Sequence, residues 1–274
     1  MQNISISKIL VPVDFSRRAE GAARSAQRLA VHFHAEIILL HVVEPFHLDY
    51  AMVEPFESSL SELAQAHRQR KQAELDAFAA PMLEGAKVTR LLAEGDAASQ
   101  ILECARQNSA DLVVMPTQGH SRLRNLLIGS VTAKVLDESE RPVLTGTHLE
   151  PEDELSDWHV RHILCAVDLG TRTDHVMGWG AALAKEFRAK VTVVHVASDP
   201  NASKSLADAI AGAGLDAASL VADGEPHKVV AATAEEFHAD LVIIGRGTAT
   251  STMGRLRAQA YGIVRSAPCP VLSV

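Results

Sequence analysis

The sequence predicts an α/β fold built twice: two tandem doubly wound domains, each a five-stranded parallel sheet flanked by helices. Three observations carry that prediction. Short apolar runs that end on turn residues alternate with stretches of helical periodicity, the pattern of successive βα units. The opening runs return in the second half at a fixed offset. Both halves then close on the same short Pro-Val-Leu segment, Pro142-Val143-Leu144 and Pro270-Val271-Leu272.

Lys8-Ile9-Leu10-Val11-Pro12-Val13-Asp14 is an apolar run closing on a carboxylate and reads as the first strand. Ser16 caps the next helix, which turns Ala22, Ala23, Ala26, Leu29 and Ala30 toward the sheet. His32 and His34 flank its end, where imidazole suits the helix dipole. Residues 35–43 give the second strand. An irregular piece with Pro45 and Pro55 follows, then a helix from about Ser58 to Phe78, polar on one side (Gln65, Arg68, Gln69 and Gln72) and apolar on the other. Residues 88–93 form the third strand, and Gly95-Asp96 opens a helix through Ile101, Leu102 and Ala105. Leu112 to Met115 is the fourth strand and Pro142-Val143-Leu144 the fifth, with right-handed crossovers between them.

The acidic run Glu150-Pro151-Glu152-Asp153-Glu154 has no core pattern and reads as a linker. It divides a first domain, 1–148, from a second, 161–274, with 149–160 between them. Asp168 repeats Asp14 and Val196 repeats Val42 at one offset (168 − 14 = 154; 196 − 42 = 154). Asp240 repeats Asp111 at a smaller one (240 − 111 = 129). The shortfall of 25 (154 − 129) falls after the second strand, so the second half is expected to lack most of the irregular piece and long helix.

Composition narrows the function. Net charge −8 argues against a protein that neutralises nucleic-acid phosphates over a broad surface. No apolar run is long enough to span a bilayer, and Met1 to Ser7 is not a signal peptide. Cys104, Cys165 and Cys269 share no metal-ligand spacing and read as packed thiols in a reducing, cytoplasmic compartment.

The stretch from Gln118 to Ser130 joins the fourth strand to the next helix, Val131 to Glu138. Gly129 and Ser130 stand where that helix begins, and unpaired amides and the positive dipole end attract anions there. Gly119 permits close backbone approach, Ser130 offers a hydroxyl, and Arg122 and Arg124 bring charge. The alternative is an ordinary strand-to-helix loop with turn and cap residues.

Ile9-Leu10-Val11-Pro12-Val13-Asp14-Phe15-Ser16, Leu40-His41-Val42, Glu94-Gly95-Asp96, the Gly119 to Ser130 loop and Pro142-Val143-Leu144 together resemble the universal stress protein family in its tandem form. The resemblance spans nearly the whole chain. It implies an adenine nucleotide alpha hydrolase-like fold, pairing of the two fifth strands about a pseudo-twofold axis, and a possible dimer of whole chains. Part of that family binds ATP through a Gly-x2-Gly-x9-Gly-Ser/Thr pattern after the fourth strand. Here Gly119 and Gly129-Ser130 match its later part, while Pro116 takes the place of its first glycine. Proline removes an N–H and fixes φ at the start of the loop. The implied nucleotide set is Pro12, Val13, Asp14, Val42, Met115, Pro116, Gly119, His120, Arg122, Gly129, Ser130 and Val131, with Asp14 facing the adenosine and Pro12, Val42 and Met115 on the adenine side. Mg²⁺ would arrive with the nucleotide.

In the second half Asp168, Val196, Gly245, Arg246, Gly247 and Arg257 hold the corresponding places. Gly245-Arg246-Gly247 is one residue short of the glycine spacing, and Arg257 and Ala258 match Gly129 and Ser130. That loop reads as degenerate, with Arg246, Arg255 and Arg257 left as side-chain anion ligands. His41 and His195 stand at equivalent strand ends, which points to an inherited structural role. No catalytic triad, carboxylate pair or metal set follows from spacing. Three functions remain: an ATP-binding regulatory protein with at most slow hydrolysis, a nucleotide-free scaffold acting through protein partners, and an ATP-pyrophosphatase-type enzyme. The last needs a glycine-rich loop after the first strand, where this chain has Asp14-Phe15-Ser16-Arg17-Arg18.

Overall fold

A computed structural model describes residues 4–44, 57–118, 128–146, 159–246 and 255–274. The first half runs β1 (Lys8–Pro12), α1 (Arg17–Phe33), β2 (Glu36–Val43), α2 (Glu57–Ala77), β3 (Lys87–Glu94), α3 (Ala97–Gln107), β4 (Leu112–Val114), α4 (Ser130–Glu138) and β5 (Val143–Thr145). The second runs β6 (His162–Val167), α5 (Thr173–Phe187), β7 (Lys190–Val196), α6 (Ala202–Ala213), β8 (Ala218–Ala222), α7 (Pro226–Glu236), β9 (Leu241–Ile244), α8 (Arg255–Ser266) and β10 (Val271–Ser273).

These strands join in one sheet, ordered β3-β2-β1-β4-β5-β10-β9-β6-β7-β8. Pairing is parallel within each half, and the halves meet antiparallel, with Leu144 opposite Leu272. Prolines 142 and 270 stand just before the joining strands. Their carbonyls accept from Val113 and Val242, and the missing proline N–H falls at the strand start, where proline is tolerated. Both β1 and β6 are buried on both faces, which explains their unbroken apolar sequence.

The helices cover both faces. α1, α5 and α6 pack on one side, and α1 presents Ala19, Ala22, Ala23, Ala26 and Ala30 so that it lies close to the strands. On the other side α3 and α4 cover the first half, α7 and α8 the second. Contacts near the pseudo-twofold axis pair equivalent residues: Phe33 meets Phe187 edge-on with centroids 5.8 Å apart, and His32 meets Glu186 at 3.0 Å.

Two expectations need correction. The second half keeps a counterpart of the long helix: α6, 12 residues against the 21 of α2. A parallel crossover needs something to cover the sheet face, and Leu206 and Ile210 do so. Nor does α2 bury a full apolar stripe. Leu75 is buried near its end, but Leu63 is 60% exposed.

Candidate nucleotide cleft

Open parallel sheets bind ligands beyond the carboxyl ends of their strands, and the two halves build that edge from matching parts. After β1, Asp14 Oδ1 accepts the Ser16 amide at 3.0 Å, and Phe15 between them adopts φ 63°. After β6, Asp168 Oδ1 accepts the Gly170 amide at 2.8 Å, and Leu169 adopts φ 57°. His41 and His195 each bond through Nδ1 to the carbonyl before the aspartate, Val13 and Val167, at 2.8 and 2.9 Å. The repeated histidines therefore hold a turn, as expected. Burial pulls the His41 imidazole below its ordinary pKa.

The turns then diverge. Ser16 accepts the Ala19 amide through its hydroxyl and α1 starts at Arg17. Its counterpart is Gly170, which has no hydroxyl, and α5 starts only at Thr173 with Arg172 as an N-cap that makes no side-chain bond.

Beyond β4, Pro116 is half-buried and its carbonyl accepts the Thr132 hydroxyl at 3.1 Å. The Gly129 amide donates to the Thr117 carbonyl at 2.8 Å. That amide is therefore not free, contrary to the sequence reading. Gly129 is the N-cap of α4 and offers no side-chain cap to the amides that follow. Ser130 is exposed beside them. A Cβ on Gly129 would stand 3.5 Å from the Thr117 carbonyl oxygen, an ordinary contact, so the glycine is not forced by crowding. Pro12, Val13 and Met115 are buried, Val42 and Val131 pack against the core from its edge, and Asp14 is half-exposed. Gly119, His120, Arg122 and Arg124 lie outside the described residues.

In the second half a cavity of about 510 Å³ opens at this edge. Asp168, Val196 and Gly245 line it, together with His195 and the turn residues Gly170 to Thr173. Arg246 is not in its wall. That guanidinium is buried and crosses to the first half, donating to the carbonyls of Ser139 at 2.5 Å and Arg141 at 2.8 Å. Burial, then the charge of Arg172, pushes it down to about 10, which leaves it charged at neutral pH. Arg257 lies within the first turn of α8, because that helix begins at Arg255. Gly247 is outside the described residues.

The universal stress protein family profile matches residues 5–145, 159–218 and 204–274. The chain belongs to the universal stress protein family. Universal stress protein MJ0531 of Methanocaldococcus jannaschii is 32% identical over 137 residues, 50% of this chain and 79% of its own length. Universal stress protein MJ0577 of the same organism is 28% identical over 156 residues, 52% of this chain and 95% of its own length. A universal stress protein from Archaeoglobus fulgidus superposes with TM-score 0.71 at 20% identity, covering 98% of this chain and 96% of that one, which establishes the shared fold. This universal stress protein is thus a tandem form, each half matching the family separately.

Sequence reasoning missed the turn Gly170-Thr171-Arg172-Thr173 as part of the cavity wall. The signal was present: aligning the halves puts glycine where Ser16 stands, a lost helix cap. Among the described residues no group of three or more histidine, cysteine or acidic side chains is placed to hold a metal ion. No described helix is long and apolar enough to cross a membrane. All three cysteines are buried and free.

Proposed function

We propose that this universal stress protein binds ATP or another adenine nucleotide in its first half and acts in the cytoplasm through conformation or protein partners. The observation that carries the reading is the start of α4. A glycine N-cap leaves the next amides without a side-chain cap, beside the exposed hydroxyl of Ser130. Asp14 lies in the turn just after the first strand of the same half-sheet, at the position where the family resemblance implies contact with the adenosine. With the Gly129 amide held by Thr117, the phosphate grip falls to the amides of Ser130 and Val131 and to the Ser130 hydroxyl. Mg²⁺ would be carried by the phosphates, since Mg²⁺ commonly keeps its waters and few protein ligands. The domain limits follow the same reading: 1–148 and 161–274 joined by the acidic segment 149–160.

Equilibrium binding of labelled ATP to the wild type and to Gly129→Trp tests this. Saturable binding lost in the variant is the expected result, and no binding by the wild type removes the assignment. A nucleotide-free scaffold is the second reading, favoured by the Thr117–Gly129 bond, which already consumes one donor. It predicts no gain in thermal stability with ATP.

A further inference from the structure

The second-half cavity differs from the family's phosphate loop in where its positive charge lies. Arg172 stands in the wall at the start of α5 and makes no ion pair among the described residues. Its charge is felt by Arg246 and by His175, both held below their ordinary pKa first by burial and then by that arginine. No cap closes the start of α5. The Gly170 and Thr173 amides have partners, the Asp168 carboxylate and the Gly170 carbonyl, but those of Thr171 and Arg172 have none among the described residues. Thr173 lines the cavity, is 6% exposed, and keeps a buried hydroxyl with no hydrogen-bond partner. An unpaired buried hydroxyl is costly, and a ligand oxygen beside it would relieve that cost.

Ala166, Val194, Val230, Ile244 and Ile263 make much of the remaining wall apolar, and His195 and Gln259 are also in it. One acidic group faces the same space: Asp168, whose Oδ1 is engaged by the Gly170 amide. The volume is that of a small-molecule site.

We infer that this cavity is a second binding site, for a phosphate monoester with a compact apolar body, anchored by Arg172 and the uncapped start of α5. The donors outnumber what a carboxylate can use: a guanidinium fork, two amides and the hydroxyls of Thr171 and Thr173 suit the three oxygens of a phosphate. The site does not depend on nucleotide binding beside Gly129.

The test is calorimetric titration of the full chain with phenyl phosphate, with phenol and inorganic phosphate as controls. Wild type should bind phenyl phosphate more tightly than either control. Arg172→Ala should weaken it at least tenfold. Gly129→Trp should leave it within twofold. No wild-type binding, unchanged affinity in Arg172→Ala, or loss in Gly129→Trp overturns the inference. ATP binding that fails while phenyl phosphate still binds would remove only the first-half reading.

Discussion

The two halves share a sheet edge and a turn, yet they close it differently. In the first half the serine after the aspartate caps α1, and the next helix of interest, α4, begins with a glycine. In the second half the capping position is glycine, α5 starts two residues late in the repeat, and α8 begins three residues earlier than α4 does relative to their shared end. Among the described residues the first half thus has a helix start without a side-chain cap at α4, and the second half has one at α5.

Arg246 is the sharpest departure, and breaking it should cost most. Arg246→Met removes the guanidinium from the Ser139 carbonyl and leaves that of Arg141 with the Ser139 hydroxyl, and hydrogen bonds from a charged donor are worth roughly 1.5–3 kcal/mol each. A loss of about 3 kcal/mol in denaturant unfolding is expected; a loss below about 1 kcal/mol would show that the crossing guanidinium does not bind the halves together. Next comes Gly180, over β6. A Cβ there would meet the Cys165 sulfur at 2.5 Å, while the equivalent first-half residue is Ala26 over Val11. Gly180→Ala should cost about 1–3 kcal/mol through overpacking. The same burial pushes the Cys165 thiol up to about 12, so it should resist thiol reagents at pH 8 until the chain unfolds.

The capping contrast predicts an effect in one half alone. Ser16→Ala should destabilise by about 1 kcal/mol, read from unfolding midpoints. Gly170→Ser should bring no matching gain, because the Thr173 amide already donates to the Gly170 carbonyl and a Cβ at 170 would stand 3.0 Å from the Asp168 carboxylate. The smallest effect is electrostatic. His41 has a folded pKa below its unfolded value, mainly through burial and secondly against the opposing pull of the Val13 carbonyl. The unfolded chain therefore binds the extra proton first, and the His41 contribution is full above about pH 6.5 and lost as pH falls toward the folded value. His41→Gln should flatten the fall in melting temperature between pH 7 and 5.

Much of this was readable because repetition multiplies weak signals. Asp14 with Asp168 and His41 with His195 showed the duplication and pointed to a structural role for the histidines before any geometry. The antiparallel junction followed from the resemblance and is seen between Leu144 and Leu272. What escaped depends on distance rather than on residue type. Pro116 reads as a lost donor, but its carbonyl holding Thr132 is a tertiary fact. Arg246 reads as an anion ligand in its own half, whereas its reach to the other half depends on how the halves dock. The cavity is a volume, and no spacing encodes a volume. Leu63 matches a buried helical stripe by periodicity yet stands exposed, since nothing among the described residues covers it.

The most direct measurement is equilibrium ATP binding compared across the wild type, Gly129→Trp and Arg172→Ala. The account predicts one nucleotide per chain, lost when the start of α4 is blocked and unchanged when the arginine before α5 is removed. Binding that survives Gly129→Trp but disappears with Arg172→Ala would put the nucleotide in the wrong half and contradict it.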